Sequence, residues 1–225
     1  MSVVIDNIIF NIDFNRVKED LMINNSEDEE ALTQMIIEAE NIANPRAIYR
    51  EVYITEKGKD YVVIDGLKLK SRILSKMMAE VKQAFIYVIT TGRELEEWAA
   101  GKLGILESYW AEEIQKVILN NVVNYVYGIL DNFIDGETSS EMNPGSLADW
   151  PIEEQLKLFL LLANIEEKIG VRLTNSYIML PAKSVSGIKF PTKSPFENCQ
   201  LCQRKNCPTR RVPFDQKLLD GICKM

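Results

Sequence analysis

The sequence predicts an α+β fold with a mainly antiparallel sheet. Apolar strand-like runs and helical patterns are mixed along the chain without the strand–helix–strand rhythm of a parallel sheet. Two extended segments sit around a Lys57-Gly58-Lys59-Asp60 turn, which is hairpin spacing. A continuous apolar run, AFIYVITTG, has the length and composition of a buried strand.

The elements follow in order. VVIDNIIFNI is expected to begin extended, and FNRVKEDLMI to form a short helix. SEDEEALTQMIIEAENIANP reads as a helix, with acidic residues in its first turn and Pro45 as its stop. AIYREVYITEKGKDYVVIDG gives the two hairpin strands, closed by Asp65-Gly66, and SRILSKMMAEV a helix. After the buried run, a helix is expected from Thr91 through RELEEWAAGKL, with Leu95, Trp98, Ala99 and Leu103 on one side. Tyr109, Trp110, Ile114, Val117, Ile118, Val122, Tyr125, Ile129 and Phe133 recur at helical spacing, a core stripe ended by Gly136. ETSSEMNPGSLAD reads as a loop. Pro151 suits a first helical position, with Ile152, Leu156, Phe159, Leu160 and Ala163 as the apolar face and Gly170 as the stop. RLTNSYIML and SVSGIKF read as strands, and period-two alternation puts Tyr177 and Met179 in the core. The last stretch, 191–225, carries the cysteines and little periodicity. It is taken as an extension of a single domain spanning 1–225.

Composition narrows function. The 225 residues are 46% hydrophobic and 26% charged, an ordinary globular balance with enough length for a core. A net charge of −7 argues against nucleic acid or an anionic membrane as partner. No run approaches the ~18 apolar residues of a membrane span, and the N-terminus lacks a signal-peptide pattern, so a cytoplasmic location is expected. There is no histidine. Ser-His-Asp and Cys-His nucleophiles, histidine acid–base catalysis and histidine metal ligands are therefore excluded.

The cysteines form the other distinctive pattern. Cys199 and Cys202 are spaced to reach one tetrahedral metal, Cys207 follows closely, and Cys223 is the remaining candidate ligand. Such a set suits zinc or an iron–sulfur cluster. Arg204, Lys205, Arg210 and Arg211 would offset thiolate charge and lower thiol pKa values. Redox-active thiols, free cysteines or a disulfide are the alternatives.

GVRLTNSYIMLPAKSVSGIKF resembles the signature of the activation domain of cobalamin-dependent methionine synthase. The matching positions are Gly170, Leu173, Thr174, Ser176, Met179, Pro181, Ser184, Val185, Ser186 and Gly187. NPGSLADWPIEEQLKLFLLL resembles the Pro-Gly loop and helix that precede it, and ITEKGKDYVVIDG and VITTGRELEEWA match more loosely. The resemblance implies a twisted antiparallel sheet flanked by helices, S-adenosylmethionine as cofactor, and a stand-alone activation protein. Such a protein supports reductive remethylation of cobalamin on a partner, a methionine synthase or another corrinoid protein. It also implies that the corrinoid rides on the partner, since this chain has no histidine for the cobalamin-ligating motif.

The family's Arg-x-x-x-Gly-Tyr motif falls on Glu141, Met142, Asn143, Pro144, Gly145 and Ser146. Gly145 matches, and Asn143 and Pro144 line the same loop, so these three are the candidate cofactor-binding residues. Glu141 and Ser146 replace the arginine and tyrosine, and a carboxylate would repel the cofactor's carboxylate. An alternative follows: a non-catalytic adaptor or metal-bearing accessory protein that keeps the fold without S-adenosylmethionine. In it, Pro144-Gly145 only makes the turn into the helix. Ser184, Ser186 and Gly187 are expected in a structural loop under the pocket.

Overall fold

The centre of the molecule is an antiparallel sheet whose middle strands are covered on both faces. The computed structural model describes residues 1–134, 138–207 and 210–224, without the side chains of Cys223 and Lys224. Three strands dominate: β2 (Arg46–Lys57), β5 (Gln83–Thr90) and β9 (Ser184–Pro191). β5 lies between the other two, pairing Ala47 with Ile89 on one side and Ile86 with Ile188 on the other. β3 (Tyr61–Ile64) and β4 (Leu67–Lys70) extend the sheet beyond β2, β6 (Ser139–Met142) borders β9, and β1 (Val3–Ile5) pairs with the first half of β2.

Alternation along β5 sorts its side chains to two cores. Ala84, Ile86 and Val88 face one, and Phe85, Tyr87 and Ile89 the other. The AFIYVIT run is continuous for that reason. One face is closed by α1 (Phe14–Asp20), α2 (Ser26–Ile42), α4 (Arg93–Ala100) and the 27-residue α5 (Ile105–Asp131). Short pieces cover the opposite face: α3 (Arg72–Met77), α6 (Gln155–Leu162), α7 (Ile165–Ile169), α8 (Asn198–Leu201) and α9 (Gln216–Lys224).

Several expectations change. The stretch read as a loop contains β6, whose pairing of Glu141 with Lys189 is hidden by a polar, short edge-strand sequence. RLTNSYIML is not one strand but a hairpin of β7 (Arg172–Leu173) and β8 (Met179–Leu180), with Tyr177 at φ 59° in its turn and only half-buried. Met179 does pack on the core. Pro151 precedes a 3₁₀ turn, Ile152–Glu154, which runs into α6. α6 buries Gln155, Leu158, Leu161 and Leu162, while Leu156 and Leu160 are exposed, because LKLFLLL is apolar on every side and its phase is ambiguous. That helix stops at Ala163 and Asn164, both at positive φ, and Gly170 instead ends α7. α4 begins after Gly92 and ends before Leu103, which is 94% exposed. Gly136 lies outside the described residues. No helix among the described residues is long and apolar enough to cross a membrane.

Candidate functional site

On the face covered by short pieces, the chain leaves β6 and turns through residues 143–150 before entering the 3₁₀ turn. Gly145 makes this turn, at φ +84° with its N–H donated to the Trp150 carbonyl at 2.8 Å. A Cβ here would lie 3.1 Å from Cβ of Ile152, so both backbone strain and crowding favour glycine. Two carboxylates then clamp the loop to the β4–α3 junction. Asp149 accepts from Ser71 Oγ at 2.6 Å, from the Ile73 N–H at 2.9 Å and from Arg72 Nε at 3.1 Å. Glu154 accepts from the Lys70 N–H at 2.8 Å and pairs with Lys157 at 2.6 Å. Burial pushes the Asp149 carboxyl up, but the bonds from Ser71, Ile73 and Arg72 outweigh it and hold its pKa below the usual value.

The loop forms one wall of a cavity of about 580 Å³. Gly145, Ser146, Leu147, Ala148 and Asp149 supply that wall, and Arg72, Ile73 and Lys76 of α3 an adjoining one. Leu201, Cys202, Gln203 and Arg204, with Leu219 and Ile222 of α9, complete the lining. The cysteine-bearing segment, featureless by periodicity, thus shares one cavity with the Gly145 loop. Lys76 Nζ donates to the Ile222 carbonyl and ties α3 to α9.

Asn143 is placed differently from Gly145. Its side-chain amide donates to the Ser186 carbonyl at 2.9 Å and to Tyr87 Oη at 3.0 Å, and its Oδ1 accepts from Asn198 at 2.7 Å. It fastens the loop to the sheet and to α8. Pro144, between the two, is half-buried.

Ser184, Ser186 and Gly187 lie in β9 rather than in a loop. Ser184 Oγ sits 2.9 Å from Thr90 Oγ1 and 2.7 Å from the Pro181 carbonyl, and Ser186 Oγ donates to Gln155 Oε1 at 3.0 Å. A Cβ on Gly187 would meet Tyr87 Oη at 2.4 Å and Asn143 Nδ2 at 2.6 Å. Tyr87 lies directly across the ladder from Gly187, and its hydroxyl is 2.5 Å from that of Tyr127. Burial pushes the pKa of both phenols up. Sequence reasoning missed Tyr87; the signal was a glycine inside a buried strand, which marks close approach by another group.

Glu141 is largely buried on β6 and meets Arg211 Nη2 at 3.3 Å, while Arg211 Nε lies 3.1 Å from Glu197. The charge expected to repel a carboxylate is compensated from the C-terminal stretch. Arg210 likewise donates to the carbonyls of Cys199 at 2.9 Å, Cys202 at 3.2 Å and Arg204. Both guanidiniums therefore serve carbonyls and carboxylates, and Arg211 also lies close enough to the Cys199 thiol to interact with its charge, as expected of a cation beside the cysteines. Cys199, Cys202 and Cys207 are half-buried. Among the described residues no group of three or more Cys, Asp or Glu is arranged to hold a metal. The side chain of Cys223, the fourth expected ligand, lies outside them.

Residues 144–206 match a family model described as the activation domain of vitamin B12 dependent methionine synthase. A solved structure described as the MetH reactivation domain bound to AdoHcy matches with a TM-score of 0.61 at 14% identity, over 85% of this chain and 78% of that chain. No curated protein matches the chain. The matched segment holds the Gly145 loop, the β9 signature and the first two cysteines, Cys199 and Cys202, so it contributes two stretches of the cavity lining. The chain has the fold of a methionine synthase reactivation domain, and residues 144–206 carry the sequence pattern of the activation-domain family.

Proposed function

We propose that this chain is an activation unit, one domain including residues 191–225, that presents S-adenosylmethionine to cobalamin carried by a partner. The partner is a cobalamin-dependent methionine synthase or another corrinoid methyltransferase. The observation that carries the reading is that the family match includes the Gly145 loop and that this loop lines a cavity of suitable size. About 580 Å³ lies inside the ~300–1,000 Å³ range of small-molecule sites. Apolar side chains of Ile73, Leu147, Leu201, Leu219 and Ile222 suit an adenine ring and a thioether, and the lining also carries cationic side chains that suit a carboxylate. The matched reactivation domain, bound to AdoHcy, supports the same ligand class.

S-adenosylmethionine supplies a methyl group which, with one electron from an external donor, converts cob(II)alamin to methylcobalamin and leaves S-adenosylhomocysteine. The chain's own residues perform the holding. Gly145 shapes the wall, Asn143 fixes the loop to β9 and α8, and Asp149 fixes it to α3. Pro144 stiffens the entry to the turn. Cys199, Cys202, Cys207 and Cys223 remain the proposed ligands should the segment take zinc or an iron–sulfur cluster. Metal analysis of anaerobically purified protein reads that separately.

The test is anaerobic. A cobalamin-loaded methionine synthase in the cob(II)alamin state is mixed with this chain, methyl-labelled S-adenosylmethionine and a one-electron reductant. Label transfer to cobalamin that requires this chain is the expected result; transfer independent of it contradicts the reading. The adaptor alternative predicts binding of the corrinoid protein without any binding of S-adenosylmethionine.

A further inference from the structure

The cavity beside Gly145 has three cations on its walls, and they are not equivalent. Arg72 Nε is engaged by Asp149 at 3.1 Å. Lys76 Nζ is given to the Ile222 carbonyl. Arg204 is exposed and makes no ion pair among the described residues. Its backbone, in contrast, is held: the Arg204 carbonyl accepts from Arg210, whose guanidinium also gathers the carbonyls of Cys199 and Cys202. A fixed main chain thus sets Arg204, which makes no ion pair among the described residues, in the lining of a cavity whose carboxylate, Asp149, is already satisfied.

We propose that Arg204, on the cysteine-bearing segment, is the residue that reads the carboxylate of an amino-acid-bearing adenosyl ligand in this cavity. This rests on the proposed function above. The chemistry is specific: a guanidinium fork accepts a carboxylate bidentately, which an ammonium cannot do. The position at which the family resemblance expects an arginine is Glu141, whose charge is taken up by Arg211. The carboxylate-reading cation is supplied from another part of the cavity lining instead of from the loop itself. Cys202, two residues before Arg204 and on the same wall, reports occupancy, because a bound ligand shields its thiol.

Calorimetry with two probes tests this. S-adenosylhomocysteine carries the carboxylate, and 5′-methylthioadenosine shares the adenosine and thioether but lacks it. Arg204→Ala is expected to weaken S-adenosylhomocysteine by about ten- to a hundredfold, Arg204→Lys less, and both to leave 5′-methylthioadenosine within about twofold. Site-resolved alkylation of Cys202 by iodoacetamide is expected to be slowed by S-adenosylhomocysteine in the unmodified chain and not in Arg204→Ala. Unchanged S-adenosylhomocysteine affinity in Arg204→Ala, or equal loss of both probes, overturns the role of Arg204 alone. Failure of the unmodified chain to bind either probe overturns the proposed function, and this inference with it.

Discussion

The two faces of the sheet are built by different means. One is closed largely by α5, a single helix that buries Trp110, Ile114, Ile118, Val122, Val126 and Leu130 in one stripe. Its polar atoms there are few and paired, as in the Tyr87–Tyr127 hydroxyl contact. The other face is assembled from a turn, short helices and the C-terminal stretch, with carboxylates and guanidiniums tying the pieces together. A continuous helix lays one unbroken apolar stripe against the sheet, with a cavity only past its C-terminal end, near Phe85, Phe133 and Ile134. Separate pieces leave space between them, and the cavity beside Gly145 is such a space. Both faces bury a substantial apolar core, but only the pieced-together one carries the cavity to which ligand binding is assigned by proposal.

Mutations can break or sharpen that division. The largest expected effect is on the closed face: Ile118→Ala, fully buried, should cost about 2–5 kcal/mol in chemical denaturation. It should leave S-adenosylhomocysteine affinity unchanged, and a large affinity loss would show that the faces are not independent. Gly187→Ala, between the faces, should cost about 1–3 kcal/mol, since Tyr87 and Asn143 would have to move. Gly145→Ala should cost about 1–2 kcal/mol from its left-handed backbone and should also weaken the ligand. A stability loss with intact affinity would make the loop a turn and nothing more.

The smallest effect concerns pH. Asp149 is held below its ordinary pKa in the fold, so its contribution is complete above the unfolded carboxylate range. It is lost as pH falls through the folded value. Asp149→Asn should therefore lower stability at neutral pH by about 1 kcal/mol, and its unfolding midpoint should fall less steeply in acid than that of the unmodified chain. Parallel acid profiles for the two would contradict this role.

The closed face was legible in the sequence because its elements are long and periodic. AFIYVIT and the stripe through Trp110, Ile114, Ile118 and Val122 needed no partner to be recognised. Tyr109 and Phe133, however, expected in the same stripe, are exposed, and the buried Val126 and Leu130 were not among those expected. The open face was legible mainly through resemblance. β6 escaped because Ser139, Ser140 and Glu141 carry no apolar alternation, and α6 was assigned the wrong face because its sequence is apolar all round. Gly145 was found, but its neighbours in the cavity were not. Cys202 and Arg204 lie more than fifty positions away and meet the loop only through tertiary packing. The cysteines drew attention to their segment for metal chemistry, whereas its described side chains form a wall and a clasp.

A crystal structure of the chain soaked or co-crystallised with S-adenosylhomocysteine tests the central claim most directly. The ligand is expected between residues 145–149 and 201–204, with its carboxylate at Arg204 and its apolar parts against Leu147 and Ile222. Ligand bound instead at the larger cavity near Lys82, Phe85 and Phe133, or against α5, would contradict the assignment of function to the pieced-together face.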